Sequence, residues 1–201
     1  MTISVGIYIY NNVEVLDFAG PFEVFTTASR VYLRRNPGME VPFKVFTIAK
    51  TTAAINARAG LNTMPDFSLD NCPAINLLLV PGGVVDDELR DDSVNKWINA
   101  TAAKAQLIAS VCTGAFMLAK AGLLKGKKAT THWEDINDLR IQFPEVQVCE
   151  GARWVDDGQI VTSAGIAAGI DMSLHLVARL AGCELAKATA RQMDVPYRSE
   201  A

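Results

Sequence analysis

The sequence predicts an α/β sandwich around a mostly parallel sheet, and three observations carry that prediction. Strand-like apolar runs alternate with helical patterns from one end of the chain to the other. The central runs, residues 75–80 and Leu107–Val111, stay apolar instead of alternating in polarity, as strands covered on both faces do. The second run passes through Cys112 into a helical pattern over residues 113–121 that stops at Gly122. Ser110 and Gly114 flank the cysteine at two residues' distance, and a sharp strand-to-helix elbow requires such small neighbours.

Each element has its own signal. Residues 3–10 alternate Val and Ile with Gly and Tyr, the pattern of a first strand. Pro21 suits the first turn of a helix extending to about Arg35, and Pro37-Gly38 ends it. Phe43–Ala49 is a second strand, whereas residues 51–69 are weakly patterned and leave room for an edge hairpin. The strand at 75–80 stops at Pro81-Gly82-Gly83. Asp91 or Asp92 caps a helix through Ala105, with Val94, Trp97, Ile98 and Ala102 on one face. Beyond the elbow, 126–131 reads as a strand and 133–143 as a helix ended by Pro144. Residues 146–150, 153–155 and Ile160–Ser163 read as late strands, with Asp157-Gly158 as a hairpin turn. A long helix at 167–181 and a short one at 184–193 close the chain.

The 201 residues suit one domain covering 1–201, with no linker, repeat or low-complexity stretch. A net charge of −3 without a Lys/Arg stripe argues against nucleic acid as a partner. The N-terminus lacks the charged start of a signal peptide, and no apolar run is long enough for a membrane span. Cys72, Cys112, Cys149 and Cys183 are widely spaced, with no C-x-x-C pair. That usage fits a reduced, cytoplasmic protein better than a disulfide scaffold or a zinc site, and no metal is expected.

In sheets of this kind ligands bind beyond the carboxyl ends of the strands. Asp17, Gly82-Gly83 and Cys112 each follow a predicted strand, so all three fall at one rim. A thiol at a helix N-terminus meets unpaired amides and a positive dipole end, which favour thiolate; the competing reading is an inert buried cysteine. The amides of Gly83, Val84 and Thr113 would form an oxyanion pocket that Gly82 and Gly83 let a ligand approach, unless Pro81-Gly82-Gly83 is a plain turn. Asp17 in a partly dry pocket would have a raised pKa and act as a general acid, or else it merely settles the loop before Pro21. Glu23 fits the first turn of a helix through the dipole alone. His132 and Trp133 follow a strand and are candidates to stand behind the cysteine, while His175 sits mid-helix as filler. Phe18, Trp133 and Trp154 line either a pocket or the core.

At these residues the chain resembles the ThiJ/PfpI branch of the class I glutamine amidotransferase-like superfamily. The resemblance lies in L-D-F-A-G-P-F-E-V-F from Leu16, V-P-G-G from Val80, S-V-C-T-G-A-F-M-L-A-K-A-G-L-L-K-G-K-K-A-T-T-H-W from Ser110 and G-I-A-A-G-I-D from Gly165. It implies a flavodoxin-like three-layer sandwich and, commonly, a homodimer. Two subgroups share these motifs. One is isonitrile hydratase, cofactor-free, which adds water to an isonitrile to give an N-substituted formamide. That resemblance implies that Cys112 attacks the isonitrile carbon, Asp17 handles protons, Thr113 supports the cysteine and water releases the product. The other is the ligand-sensing domain ahead of helix-turn-helix modules in AraC-type regulators, and A-R-Q-M-D-V-P-Y-R near the C-terminus resembles the junction before such a module. Superfamily proteases place a histidine directly after the nucleophile; Thr113 occupies that position here, which argues against peptide hydrolysis. Glyoxal-handling relatives pair the cysteine with an acid and sometimes a histidine, which keeps Asp17 and His132 in view for that chemistry.

Overall fold

The computed structural model describes residues 2–200. Eleven strands and seven α-helices are found among them. Seven strands form the main sheet. These are β1 (Ile3–Tyr8), β2 (Phe43–Ala49), β5 (Phe67–Ser68), β6 (Leu77–Val80), β7 (Leu107–Val111), β10 (Trp154–Asp157) and β11 (Ile160–Ser163). Their order is β10-β11-β7-β6-β1-β2-β5, and every neighbour pair is parallel except β10 with β11. All four residues of β6 and all five of β7 are buried, the reason those runs do not alternate in polarity.

Helices cover both faces. On one side α1 (Val15–Arg35), α6 (Ala168–Ala181) and α7 (Cys183–Met193) pack against one another. On the other lie α2 (Asp86–Arg90), α3 (Asp92–Ala102) and α4 (Gly114–Lys120). Asp91 caps α3 by accepting from the Ser93 amide at 2.9 Å, and α3 ends three residues earlier than the sequence predicts. None of the described helices is long and apolar enough to cross a membrane.

Three expectations are corrected. Helix α1 begins at Val15, not near Pro21, so Pro21 lies inside it and Asp17 occupies its first turn. A proline inside a helix removes one backbone hydrogen bond, and here the burial of the surrounding face, which includes Phe18, Pro21, Val24, Phe25 and Ala28, outweighs that loss. Glu23 is therefore no first-turn residue; it pairs with Arg30 at 2.6 Å. The strands read at 126–131 and 146–150 are present but shorter, and they lie outside the main sheet. As β8 (Lys128–Ala129) and β9 (Gln147–Val148) they pair with each other instead. The predicted helix at 133–143 divides into a 3-10 turn, Trp133–Asp135, and α5 (Ile136–Gln142).

The edge hairpin is present as β3 (Ile55–Asn56) with β4 (Asn62–Thr63), forming a separate two-stranded sheet. The Asn12 amide donates to Asn56 O and the Arg58 amide to Val13 O, which docks the hairpin on the loop after β1. Gly158 takes φ 77° in the turn between β10 and β11.

Candidate active site

β7, β6 and β1 are neighbours at the centre of the sheet, so the loops that follow them lie side by side at its carboxyl edge. The loop after β7 is a single residue, Cys112, at φ 56°, with Thr113 as the N-cap of α4. A non-glycine residue in the left-handed region is strained, and close packing on both sides holds this one there. A Cβ at Gly114 would overlap the Val80 carbonyl oxygen and stand 2.9 Å from its carbon. A Cβ at Gly82 would stand 2.7 Å from the Thr113 amide nitrogen and 2.8 Å from Cys112 Cβ. Only glycine fits at either position, and together they let the β6 loop press against the elbow.

Asp17 reaches the same point from α1. Its side chain is fully buried, and Oδ2 accepts the Gly82 amide at 3.1 Å. Oδ1 has no hydrogen-bond partner among the described residues. Burial pushes the Asp17 carboxyl up to about 7, with the charge of Glu14 adding to the rise and the Gly82 and Ile166 amides opposing it. The Cys112 thiol also opposes that rise, and Asp17 in turn raises the thiol, so the two groups titrate as neighbours.

Two expectations about this rim are corrected here. The thiol is not held down by the helix N-terminus. Burial, and after it the Asp17 charge, push Cys112 up to about 12, outweighing the Thr113 amide and hydroxyl, which favour the thiolate. Nor do Gly83 and Val84 offer free amides for an oxyanion. The Gly83 amide donates to Thr113 Oγ1 at 2.9 Å and the Val84 amide to Asn12 O at 3.1 Å. Thr113 Oγ1 also donates to Gly83 O at 2.9 Å, so its hydroxyl clasps Gly83 at both polar atoms.

A cleft of about 820 Å³ opens onto Cys112 and Thr113. Val85, Asp86 and Leu89 of the α2 segment face it from one side, Asp135, Asp138 and Gln142 of the α5 segment from another, and Phe116 lies in its lining. Gly83, Val84, His132 and Trp133 line it as well, whereas Gly82 and Asp17 do not; Asp17 is buried away from it. His132 leaves one-sixth or so of its side chain open, and its Nδ1 lies 3.5 Å from Asp135 Oδ2. A Cβ at Gly165 would collide with the His132 ring, so this glycine gives the imidazole its seat. Trp133 is exposed at the rim, while Phe18 and Trp154 are core residues. His175 lies away from the cleft lining, bonded to Asp156 at 2.7 Å and set against Trp154.

Residues that carry no strong local signal complete the site. Ile166, at φ 53° and partly exposed, lines the cleft and turns its amide toward Asp17. Arg58 enters from the hairpin and pairs with Glu14 at 3.2 Å. Tyr10 Oη donates to Pro81 O at 3.0 Å, and Tyr8 Oη donates to buried Glu88, which Lys50 holds at 3.1 Å. These bonds fix the β6 loop and α2 to the strands beneath. Among the described residues no cluster of three His, Cys, Asp or Glu side chains is placed to hold a metal.

Comparison with known proteins agrees with this geometry. An isonitrile hydratase from Pseudomonas putida is 32% identical over 195 residues, covering 96% of this chain and 79% of that protein. The HTH-type transcriptional regulator GbdR of Pseudomonas aeruginosa is 31% identical over 186 residues, and the chain spans about half of that regulator (48%). A crystal structure of a ThiJ/PfpI family protein from Pseudomonas syringae superposes with a TM-score of 0.84 at 28% identity, over 99% of this chain and 78% of that one. An AraC family regulator from Pseudomonas putida, at 21% identity, shares the fold with a TM-score of 0.79 over 95% of this chain and 99% of its own. The family model described as "DJ-1/PfpI family" matches residues 3–179. The elbow, the flavodoxin-like sheet and these matches together place the chain in the DJ-1/PfpI family.

Proposed function

We propose that the protein is a cofactor-independent hydratase of small molecules that converts an isonitrile to an N-substituted formamide. The observation that carries this reading is the convergence of a buried, partly unpartnered Asp17 and the strained Cys112 where a cleft opens. Similarity to an isonitrile hydratase over 96% of the chain supports it.

The residues suggest the following course. Asp17 holds its proton up to about pH 7, and the thiol is neutral in the resting site. An isonitrile carbon brought to Cys112 Sγ would come close to the Asp17 carboxyl, which neighbours that thiol. Asp17 gives its proton to that carbon as Sγ bonds to it, and the thiol proton passes to Asp17. The product of this step is a thioimidate, Cys–S–CH=N–R. Water then adds to the carbon, one of its protons goes to nitrogen, and the C–S bond breaks. The remaining proton returns to sulfur and the formamide leaves. In total one isonitrile and one water give one formamide. Thr113 supports the cysteine through its amide and keeps the Gly83 loop closed against the elbow.

The test is hydration of an aryl isonitrile followed by absorbance, with the formamide identified by NMR. Formation of the formamide supports the reading, and no conversion at substrate saturation overturns it. One observation favours a second reading. A thiol pushed up to about 12 suits a site that binds a metabolite without attacking it, as a sensing domain related to the regulators would. Calorimetric binding of small molecules with no chemical change in them would favour that alternative.

A further inference from the structure

The cleft over Cys112 carries an uneven charge. Its lining holds five carboxylates, those of Glu14, Asp86, Glu134, Asp135 and Asp138, against one guanidinium, that of Arg58. Arg58 is already committed to Glu14 at 3.2 Å. The other four carboxylates lie toward α2 and α5, and three of them fall within five residues of sequence. His132 faces two of these, with Nδ1 3.7 Å from Glu134 Oε2 and 3.5 Å from Asp135 Oδ2. Arg90 and Lys120 line an adjoining recess past Asp86 and Gln142, and Arg90 is tied to Asp87. Burial raises the Asp135 carboxyl; His132 opposes that rise, and the neighbours Asp138 and Glu134 add to it. Trp133 stands exposed beside them and offers an aromatic face, which attracts positive charge. At the reactive end Asp17, buried and outside the cleft lining, neighbours the Cys112 thiol and keeps one carboxyl oxygen without a hydrogen-bond partner among the described residues.

We infer that the cleft takes a substrate whose reactive carbon meets Cys112 and whose other end carries a positive charge, such as an ammonium, set against Asp135 and Asp138, and that it rejects anionic substrates. The inference rests on reading the cleft as the substrate site and names the class of molecule that site would take. A cleft lined by one sign of charge concentrates ligands of the opposite sign and raises their rate of arrival. The preference therefore weakens as salt screens the field.

The experiment measures how fast Cys112 reacts with three methanethiosulfonates: trimethylammonioethyl (cationic), methyl (neutral) and sulfonatoethyl (anionic). In each case the thiolate attacks the reagent's sulfenyl sulfur, a mixed disulfide forms and methanesulfinate leaves. Peptide mass spectrometry follows Cys112 apart from the other three thiols, and each rate is divided by that of free cysteine. At low ionic strength the cationic reagent is expected to react about tenfold or more faster than the anionic one. The ratio should fall below about threefold in roughly 0.5 M salt, and likewise in the Asp135→Asn, Asp138→Asn double variant. A ratio at or below one, or a ratio that neither salt nor the double variant changes, overturns the inference. So does failure of all three reagents to reach Cys112. Labelling needs no isonitrile turnover. A charge preference without formamide production leaves the cation-selective cleft standing while the hydratase reading fails, and the reverse result does the opposite.

Discussion

The Gly82 amide donates to Asp17 Oδ2 over 3.1 Å, so the loop after β6 and the first turn of α1 meet at one buried carboxyl. That bond uses one carboxyl oxygen and leaves the other without a partner among the described residues, in a carboxyl that neighbours the Cys112 thiol. The account of the site follows from this asymmetry.

Asp17 should govern the pH dependence of both activity and stability. Its folded pKa, about 7, lies above the ordinary 3.8. The stabilisation from the bound proton is therefore complete below about 3.8 and is lost as pH rises through about 7. Across that window the loss is on the order of 4 kcal/mol. Urea unfolding of the wild type should show this fall, and Asp17→Asn should lack it. On the proposed chemistry, wild-type turnover declines as pH rises past about 7, and Asp17→Asn lowers turnover by about 100-fold or more. Identical pH profiles for the two proteins would remove Asp17 from both roles.

Thr113→Val should loosen the elbow. The change leaves the Gly83 N–H and C=O without the hydroxyl that both now use. A cost of roughly 2 kcal/mol is expected in thermal or urea unfolding, with Thr113→Ser restoring most of it. Equal stability of the Val and wild-type proteins would show that the clasp contributes nothing.

Gly114→Val should fail to fold or should melt far below the wild type. Any Cβ there overlaps the Val80 carbonyl, and backbone on both sides leaves it no room to move away. The expected loss is about 3 kcal/mol or more, read as soluble yield and melting temperature. A stable Gly114→Val protein would mean that the turn is wider than described.

Much of this site was legible because it is local in sequence. The apolar run before Cys112, the small residues at 110 and 114, and the glycines after Val80 are short-range signals of buried strands and close backbone approach. Asp91 as a cap and Asp157-Gly158 as a turn belong to the same kind. What escaped depends on partners far apart in the chain. Gly82 and Asp17 are 65 residues apart, and Gly83 and Thr113 are 30 apart. Nothing local reveals that these bonds use up the amides expected to face a ligand. Pro21 misplaced the start of α1 because a strong local breaker was overridden by burial of the surrounding face. Ile166 and Arg58 carry no motif; the first is revealed by its positive φ and the second by the docking of a hairpin too short to be read from its residues. The thiol's ionisation was expected from the helix dipole alone, which does not weigh the burial and the neighbouring carboxyl that raise it.

The central claim is that Cys112 Sγ bonds to the isonitrile carbon, and the most direct measurement is turnover by the Cys112→Ala protein. The account predicts no formamide above background from this variant, with a melting temperature close to that of the wild type. It also predicts that wild-type enzyme quenched during turnover gains the full mass of the isonitrile on the peptide holding Cys112. Formamide production by a folded Cys112→Ala protein at or near the wild-type rate would contradict the account.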